Sequence, residues 1–198
     1  YEAPEFDILL RPPRKPTERM VSYAMISFSY FQIGVIETLG ALFAYVCVFG
    51  SYGISIEQLY RSTDLYWTSK SPMLRASNGN LYTASEQEDI QRRAQTAYYL
   101  GIVIIQAFNV VLCKSRIYPL VKQGLFRNPV TIYGILWSIA LASMIIYIPG
   151  VNNSIFKSYP VELKFWTPAL IFGALVIAYG EMRKLAMIFF VEFRFLLW

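Results

Sequence analysis

Histidine is absent from all 198 residues. Its absence removes the usual general base at neutral pH and the commonest zinc ligand. Cysteine occurs only as Cys47 and Cys113, in different apolar runs. Each reads as a small buried hydrophobe rather than half of a disulfide. Charge is scarce too, with 16% charged residues against about 25% in an ordinary soluble domain. No nucleophile constellation is recognisable, so no residue is assigned a catalytic or metal-ligating role. Residues 1–22 hold charges and four prolines instead of the apolar centre of a signal peptide. The first methionine is Met20, so the chain reads as a fragment or a trimmed protein.

What is present is hydrophobic: 56% of residues are apolar and the mean hydropathy is +0.40. Four runs, at about 24–49, 94–113, 129–148 and 165–182, approach the roughly 20 helical residues that cross a bilayer core of about 30 Å. In lipid each backbone amide needs an internal partner, so isolated apolar runs of this length are helices. The expected fold is an all-α membrane protein, one domain over residues 1–198, with a long extracellular loop between the first and second transmembrane helices. Four apolar runs also argue strongly against a soluble enzyme.

Eleven Lys and Arg residues lie in segments 1–22, 114–128 and 181–198, whereas the short loop 150–164 has only Lys157 and Lys164. The net charge of +5 is therefore a sign of membrane orientation and not of nucleic-acid binding. The bias places both termini in the cytoplasm and the loop 50–93 outside. That loop is polar, carries an Asn78-Gly79 turn signal and leaves room for a short helix from Ser85 to Arg93. Asn152-Asn153-Ser154 forms a glycosylation-type triplet on the same side, a few residues from the membrane.

Contact faces between helices in lipid are built from small residues. Gly40 and Ala44, Gly134, Ser138 and Ala142, and Ala174 and Ala178 recur at four-residue spacing and read as such faces. Polar residues inside the runs are a separate matter. Gln106, Asn109 and Cys113 share one face of the second span. Glu37 lies mid-span, where an ionised carboxylate is costly without a partner or water, so it reads first as a protonated side chain hydrogen-bonded inside the bundle. Interhelical hydrogen bonds, worth roughly 0.6–2 kcal/mol each, and an ion pathway are both compatible with this spacing. Glu181 beside Arg183 and Lys184 reads as an ion pair at the inner end.

Several strings occur in a telling order: Tyr1-Glu2-Ala3, Tyr30-Phe31-Gln32-Ile33-Gly34, Cys113-Lys114-Ser115-Arg116, Gln123-Gly124, Pro149-Gly150 and Arg183-Lys184-Leu185. Together they closely resemble the C-terminal part of the catalytic alpha subunit of Na+/K+- and H+/K+-transporting P-type ATPases, from the loop before the seventh membrane helix through the tenth. The resemblance implies a plasma-membrane, multi-pass protein that supports a cation pathway and docks an accessory beta subunit. Its implied partners are the remaining helices and cytoplasmic domains of the alpha subunit, the bilayer and monovalent cations, with ATP and Mg2+ needed only by the whole pump. The Asp-Lys-Thr-Gly string that such pumps phosphorylate is missing, so the covalent step cannot occur in these residues.

By the same resemblance, Gln106, Asn109 and Ser138 line the ion pathway and Glu37 supports it, while Ser77, Asn78, Gly79 and Asn80 contact the beta subunit. The correspondence is imperfect. Asn109 stands where the family usually has an aspartate, and Trp137 and Ser138 stand where the sodium pump has two glutamates. Ser77-Asn78-Gly79-Asn80 replaces a Ser-Tyr-Gly-Gln string, and the aromatic tail is unrecognisable after Phe189. A divergent paralogue or fragment with a structural or regulatory role is the alternative. The orientation is directly testable. A cysteine placed at Ser69 should react with an impermeant thiol reagent on intact cells; reaction only after permeabilisation would reverse the topology.

Overall fold

In the computed structural model of this chain the described residues are 13, 21–61, 65–115, 117–124 and 126–189. Tyr1-Glu2-Ala3, Arg11, Arg14, Lys15, Arg19, Arg116 and Arg194 lie outside them. Four helices long and apolar enough to cross a membrane follow in order: Tyr23–Ser51, Ala84–Leu112, Pro129–Tyr147 and Leu163–Phe189. These are the first to fourth spans of an all-α, multi-pass membrane protein.

Local chemistry explains where they begin. The Ser22 hydroxyl accepts the Met25 N–H at 3.1 Å, and Asn128 Oδ1 accepts the Val130 N–H at 3.0 Å, each satisfying a helix-end donor. Pro129 opens the third span, at a position where its missing N–H costs nothing. Within the first span Ser27–Ile33 is π-helical, and the Gly34 N–H reaches the Ser29 carbonyl five residues back. A Cβ on Gly34 would sit 3.2 Å from that same oxygen, so glycine accommodates the wide turn.

Two ends differ from the sequence reading. The second span is one 29-residue helix, about 43 Å long at 1.5 Å per residue. The expected short helix 85–93 is therefore its continuation beyond the membrane, because nothing between Arg93 and Ala94 breaks it. The fourth span continues to Phe189, past the expected end at 182, since Arg183 and Lys184 are buried between helices.

The first, second and fourth spans pack closely. A Cβ on Gly40 would come within 2.7 Å of Ile105 Cδ1 and Phe172 Cβ, and one on Gly101 within 3.2 Å of Ala41 Cα. Gly173 lies against the Phe108 ring and Gly180 against Leu112 just as tightly. Of the expected small-residue faces, Gly40 and Ala44 are buried. Ala174 and Ala178 instead point outward, their role taken by Gly173 and Gly180, and Gly134 borders open space. The third span is peripheral: 11% of its apolar window is buried, against 33–39% for the other three.

The segment between the first and second spans folds into a cap. It holds a helical turn at Ile56–Arg61 and an antiparallel pair, β1 (Leu74–Arg75) and β2 (Leu81–Tyr82). Leu74 and Ala76 join Val48, Phe49, Ile90 and Ala94 in one buried cluster. Gln87, fully buried, donates to the Pro72 and Tyr82 carbonyls at 2.8 and 3.0 Å and accepts the Trp67 N–H at 3.4 Å. One amide thus ties three parts of the loop to the second span. At the same end Asn152 is 4% exposed, with its Nδ2 donating to the Ile146 carbonyl at 3.3 Å. The atom a glycan would need is sequestered, which overturns the candidate glycosylation site.

Overpacking a helix seam costs about 1–3 kcal/mol. Gly40→Val and Gly180→Val should each lower the melting temperature in detergent clearly. Ser138→Leu, on the open side of the third span, should leave it unchanged. Equal losses for all three would contradict this packing.

Candidate functional site

The polar residues of the first and second spans meet. Gln106 Nε2 donates to Glu37 Oε2 at 2.6 Å, across 69 positions of sequence. The Asn109 amide, one turn further along the second span, approaches the same carboxylate, and its Oδ1 accepts from the Cys113 thiol at 3.5 Å. Glu37 Oε1 is buried without a hydrogen-bond partner among the described residues. A carboxylate at this depth is favourable only with partners, and two amides from the facing helix supply some of that compensation. The predicted face of Gln106, Asn109 and Cys113 is therefore real. Cys113 itself is exposed rather than the buried hydrophobe expected.

On its other flank Gln106 opens into a cleft of about 560 Å³ between the second and third spans, shared with Thr131, Gly134 and Ser138. The Ser138 hydroxyl donates back to the Gly134 carbonyl at 3.0 Å, which leaves its oxygen able to accept. Of the four intramembrane candidates, Gln106 thus touches both environments: Glu37 and Asn109 lie on one side and Ser138 on the other. Trp137 is 68% exposed and is not part of the cleft wall.

Ser77, Asn78, Gly79 and Asn80 form the tip joining β1 to β2. Gly79 takes φ +89°, a conformation glycine adopts without strain. Asn78 Oδ1 accepts the Asn80 N–H at 3.0 Å, and Asn78 Nδ2 reaches the Tyr52 carbonyl at 3.3 Å. Ser77 donates to Gln58 Oε1 at 2.8 Å. All four residues are exposed, so the tip is fixed at its base and open to its surroundings.

The end of the bundle opposite the cap holds a polar staple that the sequence only partly reveals. Lys184, 3% exposed, pairs with Glu181 Oε1 at 2.9 Å and donates to the Leu112 carbonyl at 3.0 Å. Glu181 Oε2 accepts the Leu120 N–H at 2.9 Å. One ion pair therefore closes the C-terminal end of the second span and holds the turn Leu120–Gln123 beneath it. Arg183, the other expected partner of Glu181, has its guanidinium 4.1 Å from the centre of the Phe28 ring, a cation–π arrangement. A second missed contact is the Tyr179 hydroxyl donating to Gln32 Oε1 at 2.6 Å. Its signal was a polar side chain set within each of two apolar runs.

The family model described as "Cation transporting ATPase, C-terminus" matches residues 1–186. Sodium/potassium-transporting ATPase subunit alpha-4 of Rattus norvegicus is 35% identical over 187 residues, 93% of this chain and 18% of that protein. Subunit alpha-2 of Gallus gallus is 34% identical and subunit alpha-3 of Homo sapiens 32%, with the same coverage. The chain therefore spans less than a fifth of the length of these relatives.

Removing one partner from a buried ion pair costs about 3–5 kcal/mol, because the other charge is left behind. Lys184→Met should accordingly depress the melting temperature sharply. Adding Glu181→Gln should recover part of that loss. No recovery in the double variant would mean that the pair is not what holds this corner.

Proposed function

Since the chain belongs to the cation-transporting ATPase C-terminal family, we propose that it supports the cation pathway of a P-type pump and docks an accessory beta-like subunit. The observation that carries this reading is the 2.6 Å bond from Gln106 to Glu37, at the edge of a cleft that also holds Ser138. Hard monovalent and divalent cations take oxygen ligands. With its nitrogen engaged by Glu37, Gln106 leaves its carbonyl oxygen for a cation, and Ser138 adds a hydroxyl oxygen across the cleft. Glu37 supplies the negative charge, and a unit charge about 4 Å away is worth roughly 4 kcal/mol at an effective dielectric near 20. Asn109, an amide in place of the aspartate usual in the family, orients that carboxylate without adding charge.

ATP, Mg2+ and the phosphorylated aspartate belong to the rest of such an alpha subunit, whose other helices would close the open cleft. The exposed, anchored tip at Ser77, Asn78, Gly79 and Asn80 supports docking of the beta-like partner outside a plasma membrane, with both termini in the cytoplasm. A second reading, a divergent paralogue that keeps the fold without pumping, is favoured by one observation. Among the described residues, the cleft between the second and third spans has no carboxylate of its own in its wall.

The test is Glu37→Gln in the full-length subunit, read as cation-activated phosphorylation from ATP. Loss of one charge near the cation should raise the half-activating cation concentration about tenfold or more, equivalent to about 1.4 kcal/mol per tenfold. An unchanged cation dependence would remove Glu37 from the pathway. A wild-type subunit that is never phosphorylated would favour the non-pumping paralogue.

A further inference from the structure

Beyond the intramembrane cluster, a second polar cleft lies at the outer end of the second span. It measures about 230 Å³, and its wall includes Arg92, Gln95, Tyr99, Phe156, Lys157 and Ile145. We propose that it binds the phosphate of a phospholipid headgroup in the adjacent leaflet, the acyl chains lying along the second and third spans. This inference does not depend on pumping.

Three features carry it. The first is charge. Arg92 faces Glu88 at 3.5 Å, and Arg93 and Lys164 both lean on Glu162, at 4.0 and 2.8 Å. Among the described residues the Lys157 side chain has no carboxylate within ion-pair reach, and neither it nor the Gln95 side chain makes a hydrogen bond, the Lys157 N–H alone being spent on the Asn152 carbonyl. The cleft therefore holds two cations against the single Glu88, a surplus that one phosphodiester charge balances.

The second feature is shape. Thr96, nearly fully buried, accepts the Tyr159 N–H at 3.1 Å and donates to the Arg92 carbonyl at 2.8 Å. Ser158 donates to the Ile145 carbonyl at 3.0 Å. These bonds lock the connection between the third and fourth spans onto the second, so the walls are held before any ligand arrives. Lys157 ends the helical turn Asn152–Phe156 with φ +50°, which turns the chain at the rim of the cleft.

The third feature is depth. The cleft sits where the second span passes from its charged outer turns to its apolar length, the level at which aromatic and basic side chains meet headgroups. Below it Ile102 on one helix and Leu141 and Met144 on the other are exposed. A polar head with an apolar strip beneath it matches an amphiphile better than a free anion.

The experiment uses the full-length subunit, delipidated in detergent and followed by thermal unfolding. Its three additives are short-chain phosphatidylcholine, the matching diacyl lipid with a sugar in place of the phosphate, and inorganic phosphate. Phosphatidylcholine should stabilise the protein and the other two should not. Arg92→Gln with Lys157→Asn, the latter chosen because asparagine tolerates positive φ, should need about tenfold more phosphatidylcholine for the same shift. Should that double variant fail to fold, Lys157→Asn alone serves, with a smaller shift in the same direction. Equal response of variant and wild type, or equal stabilisation by the sugar lipid, would overturn the proposal. Full stabilisation by inorganic phosphate alone would overturn it as well, reassigning the cleft to a free anion.

Discussion

The close approach of the first span to the second is the constraint on which the rest depends. Lipid offers no hydrophobic drive between helices, so their contact rests on dispersion, about 0.1–0.2 kcal/mol for each well-placed pair of heavy atoms. Many such pairs form only if the backbones come near. Gly40, Ala41, Ala44 and Gly101 allow it, with Gly101 facing the Ala41 backbone. The seam then fixes the rotation of both helices, and that rotation sets Glu37 opposite Gln106. Without it the carboxylate would face lipid at a cost of several kcal/mol.

Polar contacts close the two ends of this seam. At the cap end Gln87 ties the capping loop to the second span. At the opposite end Lys184, paired with Glu181, satisfies the Leu112 carbonyl, a group the helix end would otherwise leave unpaired. Tyr179 and Gln32 join the first and fourth spans between them. The middle of the bundle is consequently held from both sides. The third span, peripheral and loosely packed, leaves its cleft with the second open.

The four spans were legible because apolar length is written locally, and the polar face of the second span because periodicity is too. What periodicity does not say is which face finds a partner. Gly134, Ser138 and Ala142 carry the same four-residue spacing as Gly40 and Ala44, yet of the three only Ala142 is buried, since a seam needs a complementary neighbour. Ala174 and Ala178 pointed outward for the same reason, and Gly173 and Gly180, seven apart, went unread. Glu37 and Gln106 were each suspected alone. Their pairing required the fold, as did the burial of Asn152, whose triplet reads as an acceptor until its amide is found spent on the Ile146 carbonyl.

The central claim, that the glycine-alanine seam sets Glu37 against Gln106, is tested most directly by a crosslink. A Cβ on Gly101 would lie 3.6 Å from Ala41 Cβ, within the roughly 3.5–4.5 Å a disulfide spans. The variant carrying Ala41→Cys and Gly101→Cys, with Cys47 and Cys113 replaced by alanine, is oxidised in its membrane and then cleaved in the loop 52–83. The account predicts that the two halves stay joined on a non-reducing gel and separate on reduction. Halves that separate without reductant, in a protein that still folds, would contradict it.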